Sequence, residues 1–250
     1  MFSREGSARS DGQNRWLAGC LAFVGGFVNS SGFVLIGSFT SHVTGNVGRL
    51  ADDAATGQYT AAVAALTLVL CFFAGAFSAS VIVESRFLGR ATSRAYALAL
   101  TVEALLLLLF TLLSYVTASA HPRVRDAEAA LLCIAMGLQN ALVSRLSGAV
   151  VRTTHLTGVV TDLGIEGARW FRFWRHSLSE ATRVPLVFGR NVAERPAAPK
   201  ILLLATIAAS FLSGATSGAL AAVHFHHAAM LFAAAAVAAC AIYAVSGSSV

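Results

Sequence analysis

Apolar runs long enough to cross a bilayer recur six times along the chain, at roughly 16–36, 60–83, 95–118, 127–147, 200–223 and 226–246. A crossing helix needs about 20 predominantly apolar residues for a hydrocarbon core about 30 Å thick, and each run predicts one. Ser38 to Tyr59 and Val150 to Pro199 are too polar, or apolar for too short a distance, to be spans. Residues 1–15 carry Arg4, Glu5, Arg9, Asp11 and Arg15 and are expected to form a disordered tail. Leu17-Ala18-Gly19-Cys20 has the spelling of a lipidation site, but such a site closes a signal peptide's apolar core, and here it opens an apolar run.

The pattern is stated twice. Ser41-His42-Val43-Thr44-Gly45 returns as Thr154-His155-Leu156-Thr157-Gly158, 113 residues later. Upstream, Gly26-Phe27-Val28-Asn29 answers to Gly137-Leu138-Gln139-Asn140 at a shift of 111, and downstream Gly75-Ala76-Phe77-Ser78 answers to Gly214-Ala215-Thr216-Ser217. Repeats of this kind are sought before a fold is assigned. The two units are 16–118, with spans 16–36, 60–83 and 95–118, and 127–246, with spans 127–147, 200–223 and 226–246 and an interfacial segment over 150–199.

Three spans per unit is an odd number, so the second copy enters the membrane with the opposite polarity. The predicted fold is all-α: a polytopic membrane protein of six helices in two inverted three-helix repeats, each with a short helix after its Ser/Thr-His-x-Thr-Gly motif. Inverted repeats with a substrate site where they meet are a recurring transporter architecture. An eight-span alternative, in which the motif segments also cross, gives parallel repeats. It moves Arg86, Arg90 and Arg94 to the outer side and weakens the charge asymmetry described next, so it ranks second.

Composition agrees with a membrane setting: 56% of residues are hydrophobic and 12% charged, and the mean hydropathy is +0.70, against about a quarter charged in soluble domains. The net charge of +6 is carried almost wholly by arginine flanking apolar runs. With a cytoplasmic N terminus, all 18 lysines and arginines except Arg49, Arg123 and Arg125 fall on the cytoplasmic side, as the positive-inside rule asks. Both termini are therefore expected in the cytoplasm. These charges read as topology signals, and no nucleic-acid partner is expected, since there is no soluble basic domain. Cys20, Cys71, Cys133 and Cys240 each sit inside an apolar run without CxxC spacing and read as packing residues.

Candidate chemistry centres on the motifs. Thr40 or Ser41, and Thr153 or Thr154, can cap a helix start, and His42 to Asp53 has the length of a half-membrane helix. Such a helix, dipping inward, would aim its positive end, hydroxyls and an imidazole at an anion or a carboxylate-bearing solute; lying flat, its hydroxyls would only satisfy the bend. Asn29 and Asn140, inside spans one and four, line a pathway or bond neighbouring helices. The candidate solute-binding set is Asn29, His42, Thr44, Asn140, His155 and Thr157. Glu103, mid-span, must carry its proton or meet a partner from another helix, and is the candidate proton-coupling residue.

Asp162 and Glu166 share a helix face on which Arg169 can pair with Glu166. Arg169-Trp170-Phe171-Arg172-Phe173-Trp174-Arg175 alternates base and ring as an interfacial anchor does, with Arg169, Arg172 and Arg175 set for anionic lipid headgroups. His224, His226 and His227 lack an accompanying acid and read as a solvated turn, so no metal is expected. No nucleophile elbow, phosphate loop or HExxH pair occurs, and neither enzyme activity nor a cofactor is expected.

Phe39-Thr40-Ser41-His42-Val43-Thr44-Gly45-Asn46, AMGLQNALV from Ala135 to Val143, and VRTTHLTGVVTDLG from Val151 to Gly164, in that order, resemble the YoaK-like family of bacterial membrane proteins. The resemblance runs from about residue 16 to 246. It implies a six-span inner-membrane protein and supplies neither an activity nor a catalytic residue. Two functions follow from the residues: a permease or channel-like transporter of a small polar solute, anions included, or a non-transporting scaffold that binds a protein partner or anionic lipid.

Overall fold

The computed structural model describes residues 10–84, 92–117, 122–147, 153–182 and 198–246. Among them lie eight α-helices: α1 (Asp11–Ile36), α2 (Val43–Ala55), α3 (Tyr59–Glu84), α4 (Thr92–Thr117), α5 (Pro122–Leu146), α6 (Leu156–Thr182), α7 (Ala198–Phe225) and α8 (Met230–Ser246), with a 3-10 turn at His226–Ala229. Five segments are long and apolar enough to cross a membrane: Gly12–Ile36, Tyr59–Glu84, Ser93–Val116, Val124–Leu146 and Ala198–Ser246. The last is 49 residues long and holds both α7 and α8, broken by the 3-10 turn in which His226 takes a φ of 52°. The protein is an all-α polytopic membrane protein.

Helix α1 starts at Asp11, inside the stretch expected to be disordered. Ser10 Oγ accepts the Gln13 N–H at 3.3 Å and Gln13 Oε1 accepts the Ser10 N–H at 3.2 Å. This capping box satisfies two free donors of the first turn and carries the helix past its apolar portion. Residues 1–9 lie outside the described residues.

Helix α1 packs most extensively on α7, α3 on α5, and α4 on α8 and α5, while α2 lies against α3 and α6 against α7. Under the shifts relating the two halves, α1 corresponds to α5 and α3 to α7. The α1–α7 and α5–α3 contacts are thus one contact made twice with exchanged partners. Its residues match in detail. A Cβ on Gly26 would overlap Phe211 O and one on Gly214 would overlap Phe23 O, while a Cβ on Gly137 would overlap Phe72 O and one on Gly75 would overlap Ile134 O. All four are glycines that the repeated sequence pairs, Gly26 with Gly137 and Gly75 with Gly214. They let backbones touch where helices gain nothing from expelling lipid and must attract by close packing.

Helices α1 and α5 run antiparallel. Gln139 Nε2 donates to Leu21 O at 2.6 Å, Leu132 lies beside Gly32, and Arg125 Nη2 donates to Ile36 O at 3.2 Å, so numbering rises on one helix as it falls on the other. Helices α4 and α8 are antiparallel too, with Ser93 Oγ donating to Ala244 O at one end and the Phe110 ring 6.1 Å from that of His227 at the other.

Leu17, Leu21 and Val28 of α1, Leu100, Leu107 and Phe110 of α4, Leu132, Met136 and Leu142 of α5, and Val237 of α8 form the buried centre. Leu70, Phe73 and Phe77 of α3, Leu105, Leu109 and Leu112 of α4, and Leu212 and Leu220 of α7 point outward and are exposed on the protein's own surface. A belt of that size in water would be an aggregation site. In hydrocarbon it faces its own kind of solvent.

Candidate functional site

The first motif turns back into the bundle. Gly37 ends α1 with a φ of 72°, its N–H bonded to Phe33 O at 2.9 Å, a left-handed cap that glycine adopts without penalty. The chain then doubles back along α1 until Ser41 reaches Asn29. Asn29 Oδ1 accepts the Ser41 N–H at 3.2 Å and the Ser41 hydroxyl at 2.8 Å. Asn29 precedes the end of α1 by two turns, so Ser41 lies about 10 Å back from that end at about 1.5 Å per residue. A stack of rings holds the bend: Phe33 and Phe39 have centroids 4.2 Å apart, and Phe39 and His42 5.7 Å.

The second motif repeats the arrangement. Asn140 Oδ1 accepts the Thr154 hydroxyl at 2.7 Å, and Asn140 Nδ2 donates to Met136 O at 2.8 Å. Thr154 Cγ2 comes within 3.2 Å of where a Cβ on Gly25 would stand, near the middle of α1. The first motif meets the same helix at Asn29 and Gly32, where Thr40 Cγ2 would be 3.2 Å from a Cβ. Along α1 the two turns are therefore offset by roughly 6–10 Å.

The caps differ from the expected ones. His42 is the N-cap of α2 and makes no side-chain cap bond. The Ser41 and Thr154 hydroxyls go to the asparagines, and the hydroxyls of Thr40 and Thr153, a matched pair in the repeat, are buried with no hydrogen-bond partner among the described residues. Gln139 Oε1 is buried without a partner as well. Buried polar groups are ordinarily satisfied, and each exception calls for a ligand, a water or a function.

Of the candidate solute residues, Asn29 and Asn140 lie inside the bundle beside these hydroxyls, while His42, Thr44, His155 and Thr157 are exposed on the first turns of α2 and α6. Glu103 is fully buried, and both its oxygens lack a hydrogen bond among the described residues. It shares a stripe of α4 with Leu107, Phe110 and Ser114, all buried, at the i, i+4, i+7 spacing of one helix face. Ser114 Oγ donates to Glu128 Oε1 of α5 at 2.7 Å. Glu128, fully buried, is a carboxylate that sequence reasoning missed, although it stands in the first turn of the predicted span 127–147.

Glu166 is buried and its Oε1 accepts both Lys200 Nζ and Arg169 Nη1 at 2.9 Å. The Arg169 pair follows the predicted spacing; Lys200, on α7, ties α6 to the bundle. The Lys200 hydrogen bond foremost, with the charges of Arg169 and Lys200, holds the Glu166 carboxyl below its usual range. Beyond it, Trp170, Phe171 and Trp174 are exposed, and the Arg175 guanidinium sits 5.9 Å above the Phe171 ring. His224 Nδ1 bonds its own helix at Leu220 O, 2.8 Å away, and among the described residues no three His, Cys, Asp or Glu side chains converge as metal ligands.

No curated protein and no solved structure matches the chain. A family model described as "Protein of unknown function (DUF1275)" matches residues 17–243, spanning both motifs, and the chain belongs to that family.

Proposed function

We propose that the protein is a small permease of the bacterial inner membrane, built from two inverted three-span repeats with both termini in the cytoplasm. The antiparallel run of α1 against α5 and the exchanged α1–α7 and α5–α3 contacts support that reading. So does the odd span count per repeat. Each motif segment re-enters the bundle from its own membrane face, and the two turns present hydroxyls toward the same helix.

One observation carries the proposal: Thr40 and Thr153, equivalent residues of the two repeats, each hold a buried hydroxyl with no partner among the described residues. Leaving a buried donor unsatisfied costs about 1–3 kcal/mol. Its occurrence at both equivalent places fits groups reserved for a passing polar solute. Asn29 and Asn140 position those turns, His42, Thr44, His155 and Thr157 face the entrance on either side, and Glu103 carries a coupled proton. Uptake of a panel of small anions and neutral polar solutes into liposomes holding the purified protein tests this. Saturable uptake lost in Thr40→Val and Thr153→Val is expected; no protein-dependent flux for any solute would refute it.

The exposed Trp170, Phe171 and Trp174, with Arg169, Arg172 and Arg175 among them, favour a second reading, in which α6 anchors on anionic headgroups or a partner and the protein is a scaffold. In that case Thr40→Val and Thr153→Val alter assembly and leave solute phenotypes intact.

A further inference from the structure

A cavity of about 580 Å³ lies at the end of the bundle formed by the C-terminal end of α1, the N-terminal ends of α3 and α5, and α2. None of the expected solute residues lines it. Its wall carries Arg49 of α2, Arg125 and Asp126 of α5, and Ser38 of the first re-entrant segment, with Val63 and Leu68 of α3 among its apolar part. Ser38 is buried, and its hydroxyl has no hydrogen-bond partner among the described residues. The described ion pairs, Arg145–Glu84, Arg169–Glu166 and Lys200–Glu166, leave both Arg49 and Arg125 without a carboxylate among the described residues. Arg125 spends one N–H on Ile36 O at 3.2 Å, which fixes its guanidinium at the rim and leaves most of its donors free.

We infer that this cavity binds a small organic monocarboxylate, its carboxylate held by Arg49 and Arg125 with the Ser38 hydroxyl donating a further bond, and its aliphatic body against Val63 and Leu68. Arginine's planar fork matches a carboxylate, and the volume is that of a small-molecule site. Two guanidinium groups and one carboxylate leave the wall with a single positive charge, which a monoanion neutralises. Asp126 repels a second negative charge, so a dicarboxylate is disfavoured. The buried, unsatisfied Ser38 hydroxyl also distinguishes the site from a mere gap between helix ends, since it lacks a bond that a ligand oxygen would complete. This assignment rests on the permease reading only for what the bound anion does next.

Equilibrium binding of radiolabelled 4-methylpentanoate to the protein in phosphatidylcholine nanodiscs tests it, with 3-methylbutylamine and adipate as competitors. Saturable binding is expected, with little competition from either, and Arg49→Gln or Arg125→Gln should weaken it by about tenfold or more. Asp126→Asn should admit adipate. Arg125→Gln also removes the bond to Ile36, so Arg49→Gln, which leaves that bond in place, decides the matter if the other variant misfolds. No saturable binding, binding unchanged in Arg49→Gln, tighter binding of the amine, or displacement by phosphatidylglycerol added to the disc would overturn the assignment. Binding without any flux in liposomes would sink the permease reading alone; flux of other solutes without binding here would sink this site alone.

Discussion

Asn140 Oδ1 accepts the hydroxyl of Thr154 at 2.7 Å across the second motif, the same bond that Asn29 Oδ1 makes with the Ser41 hydroxyl at 2.8 Å across the first. Each asparagine sits inside a long apolar helix and pulls the following segment back into the bundle. A polar side chain there that lost its partner would face hydrocarbon or a dry interior, which is why the bond can hold a turn in place.

That pairing has a measurable coupling. A double-mutant cycle of Asn29→Ala with Ser41→Ala, read by reversible unfolding in mixed micelles, should give about 0.5–1.5 kcal/mol, the scale of interhelical hydrogen bonds in membranes. Asn140→Ala with Thr154→Ala should give a coupling of the same sign. Asn29→Ala alone should cost more than Asn140→Ala, because Ser41 also donates its backbone N–H to Asn29.

Glycines at the exchanged contacts should be intolerant in a way that other helical glycines are not. Gly26→Ala, Gly75→Ala, Gly137→Ala and Gly214→Ala each place a Cβ on a neighbouring backbone carbonyl and should destabilise by about 2 kcal/mol or more. Gly48→Ala and Gly164→Ala meet nothing within 4 Å and should be neutral or gain up to about 1 kcal/mol of helix propensity. Thermal unfolding of the six variants separates the two groups; equal effects would mean that α1–α7 and α3–α5 do not touch as described.

The Glu166 bridge makes the attachment of α6 to α7 dependent on acid. Its carboxyl is held below the usual range by Lys200 first and Arg169 second, so the bound state takes up its proton later than the free one as pH falls. The contribution is complete above the ordinary carboxylate range and is lost as pH drops through the lowered value. Fluorescence of Trp170 and Trp174, both exposed on α6, should therefore stay constant from neutral pH down to the ordinary carboxylate range and change only below it. Glu166→Gln should abolish that acid step.

Replacing Glu103 should separate coupling from folding. Its carboxyl is fully buried and makes no hydrogen bond among the described residues, so Glu103→Gln keeps the shape and should change unfolding stability by less than about 1 kcal/mol. In liposomes with an imposed pH gradient, the variant should lose uphill accumulation and keep downhill exchange of solute. Unaltered accumulation would remove Glu103 from any coupling role.

The repeated glycines and asparagines were legible in the sequence because Gly26 with Gly137, and Asn29 with Asn140, recur at a fixed shift. The apolar runs located the long apolar helices through length alone, but not α6, which at 27 residues runs well past the short helix expected after the second motif. The Ser10–Gln13 capping box was readable too, although the apolar run beginning near Trp16 drew the helix start later than Asp11. What could not be read were contacts that no local period encodes. Gln139 reaches Leu21 and Ser31 reaches Gly218 only after α1 has packed on both α5 and α7. Ser41 looked like a cap because the rule is local, whereas its acceptor lies twelve residues back across a turn. Burial of Glu128 and the gathering of Ser38, Arg49 and Arg125 around one cavity likewise depend on where three helix ends meet.

The central claim is that the second repeat is inserted upside down, and side-specific labelling tests it most directly. In a background with Cys20, Cys71, Cys133 and Cys240 replaced, single cysteines are introduced by Gln58→Cys, in the turn between α2 and α3, and by Gly167→Cys on α6; both positions are exposed. A membrane-impermeant maleimide should label the first from the periplasmic side of intact cells and the second only in inverted vesicles. Labelling of both from the same side would contradict the inversion.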